Sequence, residues 1–165
     1  MSEEVSWEAA YQEFLPRVYN FFVYRVSRGP LAEDLTASTF EKAWRGRTRY
    51  RRDVGAFSTW LFSIARNVAT DHFRRAERRI SLDELRDQAD PALVEKSVEQ
   101  ADDYHKLRAL ISKLPGRERE LIALKYGAEL TNREIGRLID LSETNVGTIL
   151  HRVVTRLRAE MDQQT

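Results

Sequence analysis

Residues 45–56 (RGRTRYRRDVGA) combine residue types that can bind a nucleic acid. The segment has no apolar periodicity and contains two glycines, so it is predicted to be a loop. Arginines attract a phosphate backbone, and an aromatic ring such as that of Tyr50 can stack on an unpaired base. Phe57 and Trp60 follow at helical spacing, which is as typical of a helix core as of a binding face. The pattern indicates either a single-strand binding site or a solvated basic loop beside buried aromatics.

A second candidate binding element spans residues 131–158. Thr131 and Glu134 have the spacing of a capping box, and Ser142 can cap a following helix. A helix-turn-helix needs a small residue where the helices meet, an apolar turn residue and an apolar residue in the second helix, and these places are filled by Gly136, Leu141 and Val146. The basic residues of the second helix suit backbone phosphates. The alternative is an ordinary helical hairpin without a ligand.

Catalytic chemistry finds little support in the sequence. His72, His105 and His151 are far apart, and none shares a helix face with a suitable second ligand. The chain has no cysteine, which excludes disulfides, thiolate metal sites and cysteine nucleophiles. It also has no glycine-rich phosphate loop. We therefore predict no metal, no cofactor and no catalytic residue, and we expect a binding protein rather than an enzyme.

The net charge of +1 hides a separation of charge along the 165 residues. Residues 1–79 carry 14 basic against 10 acidic residues, residues 80–104 carry 2 against 8, and residues 105–165 carry 11 against 8. Of the 16 aromatic residues, 14 precede residue 80, so the two basic blocks are expected to bind differently. No apolar run is long enough to span a membrane, and the acidic N-terminus is unlike a secretory signal. A soluble intracellular protein is the expectation.

Helical periodicity predicts the elements that would position these residues. Pro16 should break or kink the first helix near Leu15, since proline cannot donate to the preceding turn. The predicted helices cover residues 6–28, 31–45, 57–77, 107–114, 117–126, 131–139 and 143–158. The predicted fold is all-α, with two small helical domains at 1–79 and 104–165 and an acidic linker at 80–103. Such domains are expected to tumble semi-independently.

The ordered set of segments resembles a bacterial sigma factor of the extracytoplasmic-function (ECF) type over roughly residues 6–160. No single segment identifies the family, but the order of the segments along the chain is specific to it. The segments are YQEFLPRVYNFFVYRV, AEDLTASTFEKAW, FSTWLFSIARNVATDHFRR, SLDEL, LISKLPGRERELIALKY and LTNREIGRLIDLSETNVGTILHRVVTRLR.

The resemblance implies two binding roles for the N-terminal domain. The segment AEDLTASTFEKAW would bind the clamp helices of core RNA polymerase through Glu33, Asp34, Leu35, Thr39, Phe40 and Trp44, with the exposed members of this set as the expected contacts. The loop after it would capture a flipped base of the melted minus-ten element, and the next helix would contact the same element. The residues implied are Arg47, Arg49, Tyr50, Arg51, Arg52, Trp60, Arg66, Asn67 and Asp71.

For the C-terminal domain, the resemblance implies reading of the duplex minus-thirty-five element and contact with the polymerase flap. The residues implied are Thr131, Glu143, Thr144, Asn145, Thr148, Arg152 and Arg156. The acidic linker would thread the RNA exit channel. The resemblance further implies an anti-sigma factor as a partner, a cytoplasmic location, no membrane contact and a monomer when the protein is alone.

Two positions of the second helix depart from the family pattern. Gly147 removes a side chain, and Ile149 cannot donate to a phosphate or to guanine. We expect both residues to weaken the contacts of the second helix with the DNA major groove and to give the protein an unusual promoter preference. The turn often has glycine where this chain has Asp140, which tolerates the left-handed conformation.

Two rival functions use the same residues. A stand-alone helix-turn-helix regulator would bind duplex DNA as a dimer, but it gives no account of residues 45–56. A sigma-like decoy would bind an anti-sigma factor and never initiate transcription.

Overall fold

A computed structural model describes residues 6–53, 55–82 and 103–163, and every regular element in these ranges is helical. None of the described helices is long and apolar enough to cross a membrane. The α-helices are α1 (Trp7–Val26), α2 (Pro30–Arg45), α3 (Phe57–Leu82), α4 (Asp103–Ser112), α5 (Gly116–Ile122), α6 (Asn132–Ile139) and α7 (Glu143–Gln163). The acidic segment 83–102, which holds most of the predicted linker, lies outside the described residues.

Helix α1 is continuous through Pro16, so the predicted break is wrong. Proline removes one hydrogen bond from the helix, but buried side chains on both sides hold the helix in register. Phe14 and Val18 are both buried, and Phe21 continues the same face. Ser6 begins the helix by accepting a hydrogen bond from the Ala9 amide at 3.4 Å. Packing of the apolar face therefore outweighs the local preference of proline.

Helices α2 and α3 enclose the arginine-rich segment. Pro30 occupies the first turn of α2, where its missing N–H costs no hydrogen bond. After α2 the chain makes one 3₁₀ turn at Arg47–Arg49 and then runs irregularly to α3. The predicted loop is thus confirmed apart from this turn. Helix α3 continues to Leu82, beyond the predicted end at residue 77, because the next residues, Arg78 and Arg79, are good helix formers.

The C-terminal part starts with α4 and α5. The predicted helix at 117–126 is replaced by α5 and one π-helical turn, Ala123–Gly127, in which the Ala128 amide donates to the Ala123 carbonyl at 2.9 Å. This turn ends the element at Gly127, the glycine expected as its stop. Helices α6 and α7 then form the predicted helix-turn-helix.

The turn between α6 and α7 depends on two residues. Asp140 takes the left-handed conformation (φ 58°, ψ 50°), as the sequence predicts for this position. A Cβ atom on Gly136 would lie 2.4 Å from the Leu141 carbonyl oxygen, and the Leu141 amide donates to the Gly136 carbonyl at 2.9 Å. Gly136 is therefore the required small residue, although it faces the backbone of the turn rather than the second helix.

The two halves of the chain share one apolar core in this structure. Helix α1 packs against α2 and α3 on one side and against the π-helical turn on the other. Val18, Phe21 and Leu124 are fully buried in one cluster that contains side chains from both halves. The expectation of semi-independent domains is therefore wrong for this conformation, because the apolar surface of α1 is too wide for α2 and α3 to cover.

Gly136→Ala should lower the free energy of unfolding by about 1–3 kcal/mol, since the new methyl group overpacks the turn. Urea unfolding followed by circular dichroism measures the change. Gly116→Ala is the matched control, because a Cβ atom there meets nothing within 4 Å. Equal midpoints for the two variants would contradict this account of the turn.

Candidate polymerase and promoter interface

Tyr50 belongs to an aromatic cluster at the start of α3. Its ring centroid lies 5.4 Å from that of Phe57 and 5.3 Å from that of Trp60. Its hydroxyl donates to the Gly55 carbonyl at 3.2 Å. This hydrogen bond joins two residues of the irregular segment between α2 and α3. Trp7 of α1 contacts Phe57 and Trp60 edge-on. The three half-buried rings of Tyr50, Phe57 and Trp60 thus support the loop and keep part of their surface accessible.

The arginines of residues 45–56 lie on the outside of this cluster. The Arg47 guanidinium stacks 3.9 Å from the Trp44 ring centroid, and its Nη1 donates to the Trp44 carbonyl at 2.8 Å. Arg51 pairs with Asp53 at 2.8 Å, and both side chains remain largely exposed. Arg49 and Arg52 are also exposed. The segment is therefore an exposed basic surface next to the half-buried aromatic cluster, and its role in binding a strand stays a prediction.

Helix α3 divides its three other candidate residues between two environments. Arg66 donates to the Leu138 carbonyl at 2.6 Å and pairs with Glu120 at 2.9 Å, so it is engaged by the C-terminal part of the chain. Asn67 is exposed, and Asp71 pairs with Lys42 of α2 at 3.8 Å. The predicted minus-ten residues therefore do not form one open face in this structure.

The predicted polymerase-binding residues of α2 also separate into two groups. Glu33 and Asp34 are exposed, Phe40 is half-buried, and Trp44 is 50% exposed. Leu35 and Thr39 are buried in the core, and the Thr39 hydroxyl donates to the Leu35 carbonyl at 2.8 Å. Leu35 and Thr39 therefore belong to the helical face that packs inside the protein, and the exposed members of the set remain the predicted contacts.

A groove of about 570 Å³ lies between α1 and α2 beside the exposed residues of α2. Tyr11 and Tyr19 of α1 line it opposite Phe40, and the rings of Tyr11 and Phe40 are 4.9 Å apart. The sequence does not predict the two tyrosines as surface residues. Tyr11 shares the helical spacing of Phe14 and Val18, and that pattern favours burial over a surface site.

Helix α7 presents the predicted minus-thirty-five residues to solvent. Glu143, Thr144, Asn145, Thr148, Arg152 and Arg156 are all exposed. Arg156 also pairs with Glu118 of α5. Ser142 caps the helix by accepting from the Asn145 amide at 3.1 Å.

Gly147 and Ile149 lie at the edges of the buried stripe of α7. Ile149 packs against the core, and a Cβ atom on Gly147 would be 3.4 Å from the Asn132 amide nitrogen of α6. Both positions therefore serve contacts inside the helix-turn-helix. Both residues are half-buried beside the exposed face of α7, and the unusual promoter preference stays a prediction.

Thr131 and Glu134 form the predicted capping box at the start of α6. The Glu134 amide donates to the Thr131 hydroxyl at 3.1 Å, and the Thr131 amide donates to Glu134 Oε1 at 3.2 Å. The other carboxylate oxygen accepts from Ser58 of α3 at 2.7 Å. Burial alone would raise the pKa of Glu134, but the hydrogen bonds from Ser58 and Thr131 hold it below the ordinary value.

Comparison with known families agrees with this arrangement. The family described as Sigma-70 region 2 matches residues 10–79, and that described as Sigma-70, region 4 matches residues 104–157. These two matches cover most of the chain, which belongs to the sigma-70 family of transcription initiation factors.

Comparison with individual proteins indicates the subgroup of the sigma-70 family. The chain is 31% identical to the ECF RNA polymerase sigma factor SigM of Bacillus subtilis, over 90% of this chain and 91% of SigM. The fold resembles the sigma factor RpoE bound to the anti-sigma factor NepR from Bartonella quintana (TM-score 0.71, 21% identity, 94% and 96% of the two chains). It also resembles CnrH bound to the cytosolic domain of CnrY (TM-score 0.63, 21% identity, 95% and 86%). The protein is an ECF sigma factor, which binds core RNA polymerase and recognises promoter DNA.

Glu134→Gln should remove a pH-dependent part of the stability. A carboxyl whose pKa is lowered by folding stabilises the protein above its unfolded pKa, and this contribution disappears as the pH falls through the folded pKa. The difference in urea midpoint between wild type and Glu134→Gln should therefore shrink on acidification from about pH 6 to about pH 3.5. Glu77→Gln, at an exposed site of α3, is the control. A difference that stays constant with pH would contradict the assignment.

Proposed function

We propose that residues 1–79 bind core polymerase and the melted minus-ten element, and that residues 104–165 bind the minus-thirty-five duplex. The segment 80–103 would connect them along the RNA exit channel. The observation that supports this division is the position of the two basic surfaces. The arginine-rich loop lies beside aromatic rings, whereas the exposed face of α7 is polar and has no Phe, Tyr or Trp. Aromatic rings suit unpaired bases, and a polar helix suits the major groove.

The polymerase contact is assigned to the groove between α1 and α2. Glu33, Asp34, Phe40 and Trp44 would provide the contact from α2, and Tyr11 and Tyr19 from α1. An apolar groove bordered by carboxylates suits a helix that carries apolar and basic side chains. The clamp helices expected from the family are such a partner.

The minus-ten contact is assigned to the arginines of the loop and to the exposed part of α3. The arginines would bind the backbone of the displaced strand, and the edge of the Tyr50–Trp60 cluster would receive an unstacked base. Asn67 lies on the exposed side of α3. Asp71 is paired with Lys42, and Arg66 is paired with Glu120. Both residues would contact the minus-ten element only after these ion pairs are broken.

The minus-thirty-five contact is assigned to the N-terminal half of α7. Thr144, Asn145 and Thr148 would face base edges, and Arg152 and Arg156 would bind phosphates. Thr131 at the start of α6 would approach the backbone, because the first N–H groups of a helix favour an anion.

An anti-sigma factor is proposed as a further partner. Two proteins of the same fold, RpoE and CnrH, are seen in complex with NepR and with the cytosolic domain of CnrY. The protein is proposed to work in the cytoplasm, where its polymerase is, as a monomer when alone and without catalytic activity of its own.

A run-off transcription assay tests the function. The purified protein is mixed with bacterial core polymerase and a pooled library of promoter fragments, and the transcripts are sequenced. Discrete start sites that share two upstream motifs are expected. Co-elution with core polymerase in the absence of transcripts would favour the sigma-like decoy. If the protein gives no transcripts and does not co-elute with a polymerase from a matched source, the stand-alone regulator would be favoured.

Neutralising Arg49, Arg51 and Arg52 together to glutamine should impair promoter opening more than polymerase binding, because their charges lie beside the Tyr50 ring. Permanganate reactivity of unpaired thymines measures opening, and co-elution measures binding. Arg28, Lys113 and Arg117 are exposed elsewhere and form the matched triple control. Equal losses in both assays would overturn the assignment.

Asn145→Ala should cost about 1–3 kcal/mol at one base-pair position if its amide reads a base edge. The measurement compares transcript yields from all single-base variants of the minus-thirty-five motif found by the library. Gln163→Ala, at the far end of α7, should leave the pattern unchanged. A uniform loss over all variants would assign Asn145 to the DNA backbone instead.

A further inference from the structure

Trp44 lies beyond the groove that the proposed function gives to core polymerase. Phe40 is the last residue of α2 that lines this groove, and Trp44 follows about one helical turn later. Trp44 is 50% exposed. It comes eleven residues after Glu33, which is about 16 Å along the helix. An exposed indole ring therefore stands at the end of α2 that leads into the arginine-rich loop.

The Arg47 guanidinium is held on this ring by two contacts. Its Cζ atom lies 3.9 Å from the Trp44 ring centroid, and its Nη1 donates to the Trp44 carbonyl at 2.8 Å. An arginine on a solvated surface usually extends its charged head into water. Here the side chain stays exposed but its planar group is fixed against an aromatic ring. The Trp44–Arg47 stack is thus in place before a ligand arrives.

The charge of the exposed surface changes along α2. The groove lining contains the carboxylate of Glu33 and, among the described residues, no basic side chain. Near Trp44, Arg45 pairs with Glu41 at 2.6 Å, and Arg47 adds an exposed positive charge. A polymerase helix with basic side chains suits the groove, whereas an anionic ligand suits the surface around Trp44.

Trp7 of α1 joins the Trp44–Arg47 stack to the aromatic cluster at the start of α3. Its ring centroid lies 5.6 Å from that of Trp44, 5.7 Å from that of Phe57 and 6.2 Å from that of Trp60. The stack and the Tyr50 site therefore share one aromatic support while exposing different side chains.

An unpaired nucleotide is the ligand that this chemistry fits. Bases stack on aromatic rings and on guanidinium planes alike. The guanidinium of Arg47 also attracts the phosphate next to such a base. Stacking of this kind tolerates any base, because every base has a π-face. A base within a duplex already stacks on its neighbours, so the surface selects separated strands.

We propose that the Trp44–Arg47 stack holds a second unpaired nucleotide of the melted promoter, beside the one that the Tyr50 cluster receives. This inference rests on the proposed function of residues 1–79. It adds a contact with DNA to Trp44, which the family resemblance gives to polymerase. Two stacking sites bind more of the separated strand than one, so they shift the equilibrium further towards melted DNA.

Removal of single bases from the displaced strand tests the proposal. The probe is a fork-junction fragment of a promoter found by the run-off assay, with its minus-ten element single-stranded on the displaced strand. Each unpaired nucleotide is replaced in turn by an abasic one. Core polymerase is saturated with each variant, so that a change in affinity for core polymerase does not enter the measured Kd for DNA.

The expected result is a cost that belongs to one nucleotide. In the wild type, loss of a stacked base should weaken binding about five- to hundredfold, which is the range that one stacked base contributes. In Trp44→Ala, this cost should disappear at one position, because the ring and the base no longer depend on each other. In Tyr50→Ala, the cost should disappear at a different position.

Three further variants separate stacking from charge and from folding. Trp44→Phe keeps a ring and should retain most of the cost. Arg47→Lys keeps the charge but not the plane, and it should lose the cost at the same position as Trp44→Ala. Arg45→Gln is the matched control, since it removes an exposed charge that pairs with Glu41 rather than with a ring. Circular dichroism checks that each variant is folded, and Arg47→Lys decides the result if Trp44→Ala is not.

Several results would overturn the proposal. One is an abasic profile in Trp44→Ala and Arg47→Lys that equals the wild-type profile, which would leave Trp44 to polymerase. Another is an equal loss of affinity at every position, which would assign the pair to the DNA backbone. A third is loss of the same position in Trp44→Ala and Tyr50→Ala, which would mean one site rather than two. If the wild-type holoenzyme does not bind the fork-junction fragment at all, the proposed function of residues 1–79 is refuted and the inference falls with it.

Discussion

Hydrogen bonds from arginine side chains to backbone carbonyls hold the arrangement of this protein together. Carbonyls in the last turn of a helix have no partner within the helix, and Arg66 and Arg119 donate to two of them, in α6 and α1. Arg25 is only 9% exposed, and burial lowers its pKa below the ordinary value. A buried guanidinium must keep its acceptor, so the carbonyl fixes where the second half of the chain lies.

Arg66 connects this constraint to function. Its guanidinium can bind a carboxylate and a carbonyl, as it does here, or a phosphate of DNA, because carboxylates and phosphates both present paired anionic oxygens that fit the guanidinium fork. The proposed promoter contact of Arg66 and its present contacts within the chain would therefore exclude each other.

Features encoded by neighbouring residues could be predicted from the sequence. The capping box at Thr131, the left-handed turn at Asp140 and the helical segments depend on spacing and local conformation, and the structure confirms them. Features that depend on distant partners could not. Gly127 is a helix stop in the sequence but an interface residue in the fold, and Leu35 and Thr39 lie in the core because α1 and α3 cover them. The continuous helix through Pro16 has the same cause.

The aromatic cluster gives the protein an intrinsic optical reporter. All three tryptophans of the chain lie there: the Trp7 ring is 5.6 Å from that of Trp44 and 6.2 Å from that of Trp60. Arg47 stacks on Trp44, so movement of the loop changes the charge next to an indole ring. Tryptophan emission therefore reports on α2 and the basic loop and is silent about the helix-turn-helix. Unlabelled protein can thus reveal which half a ligand has reached.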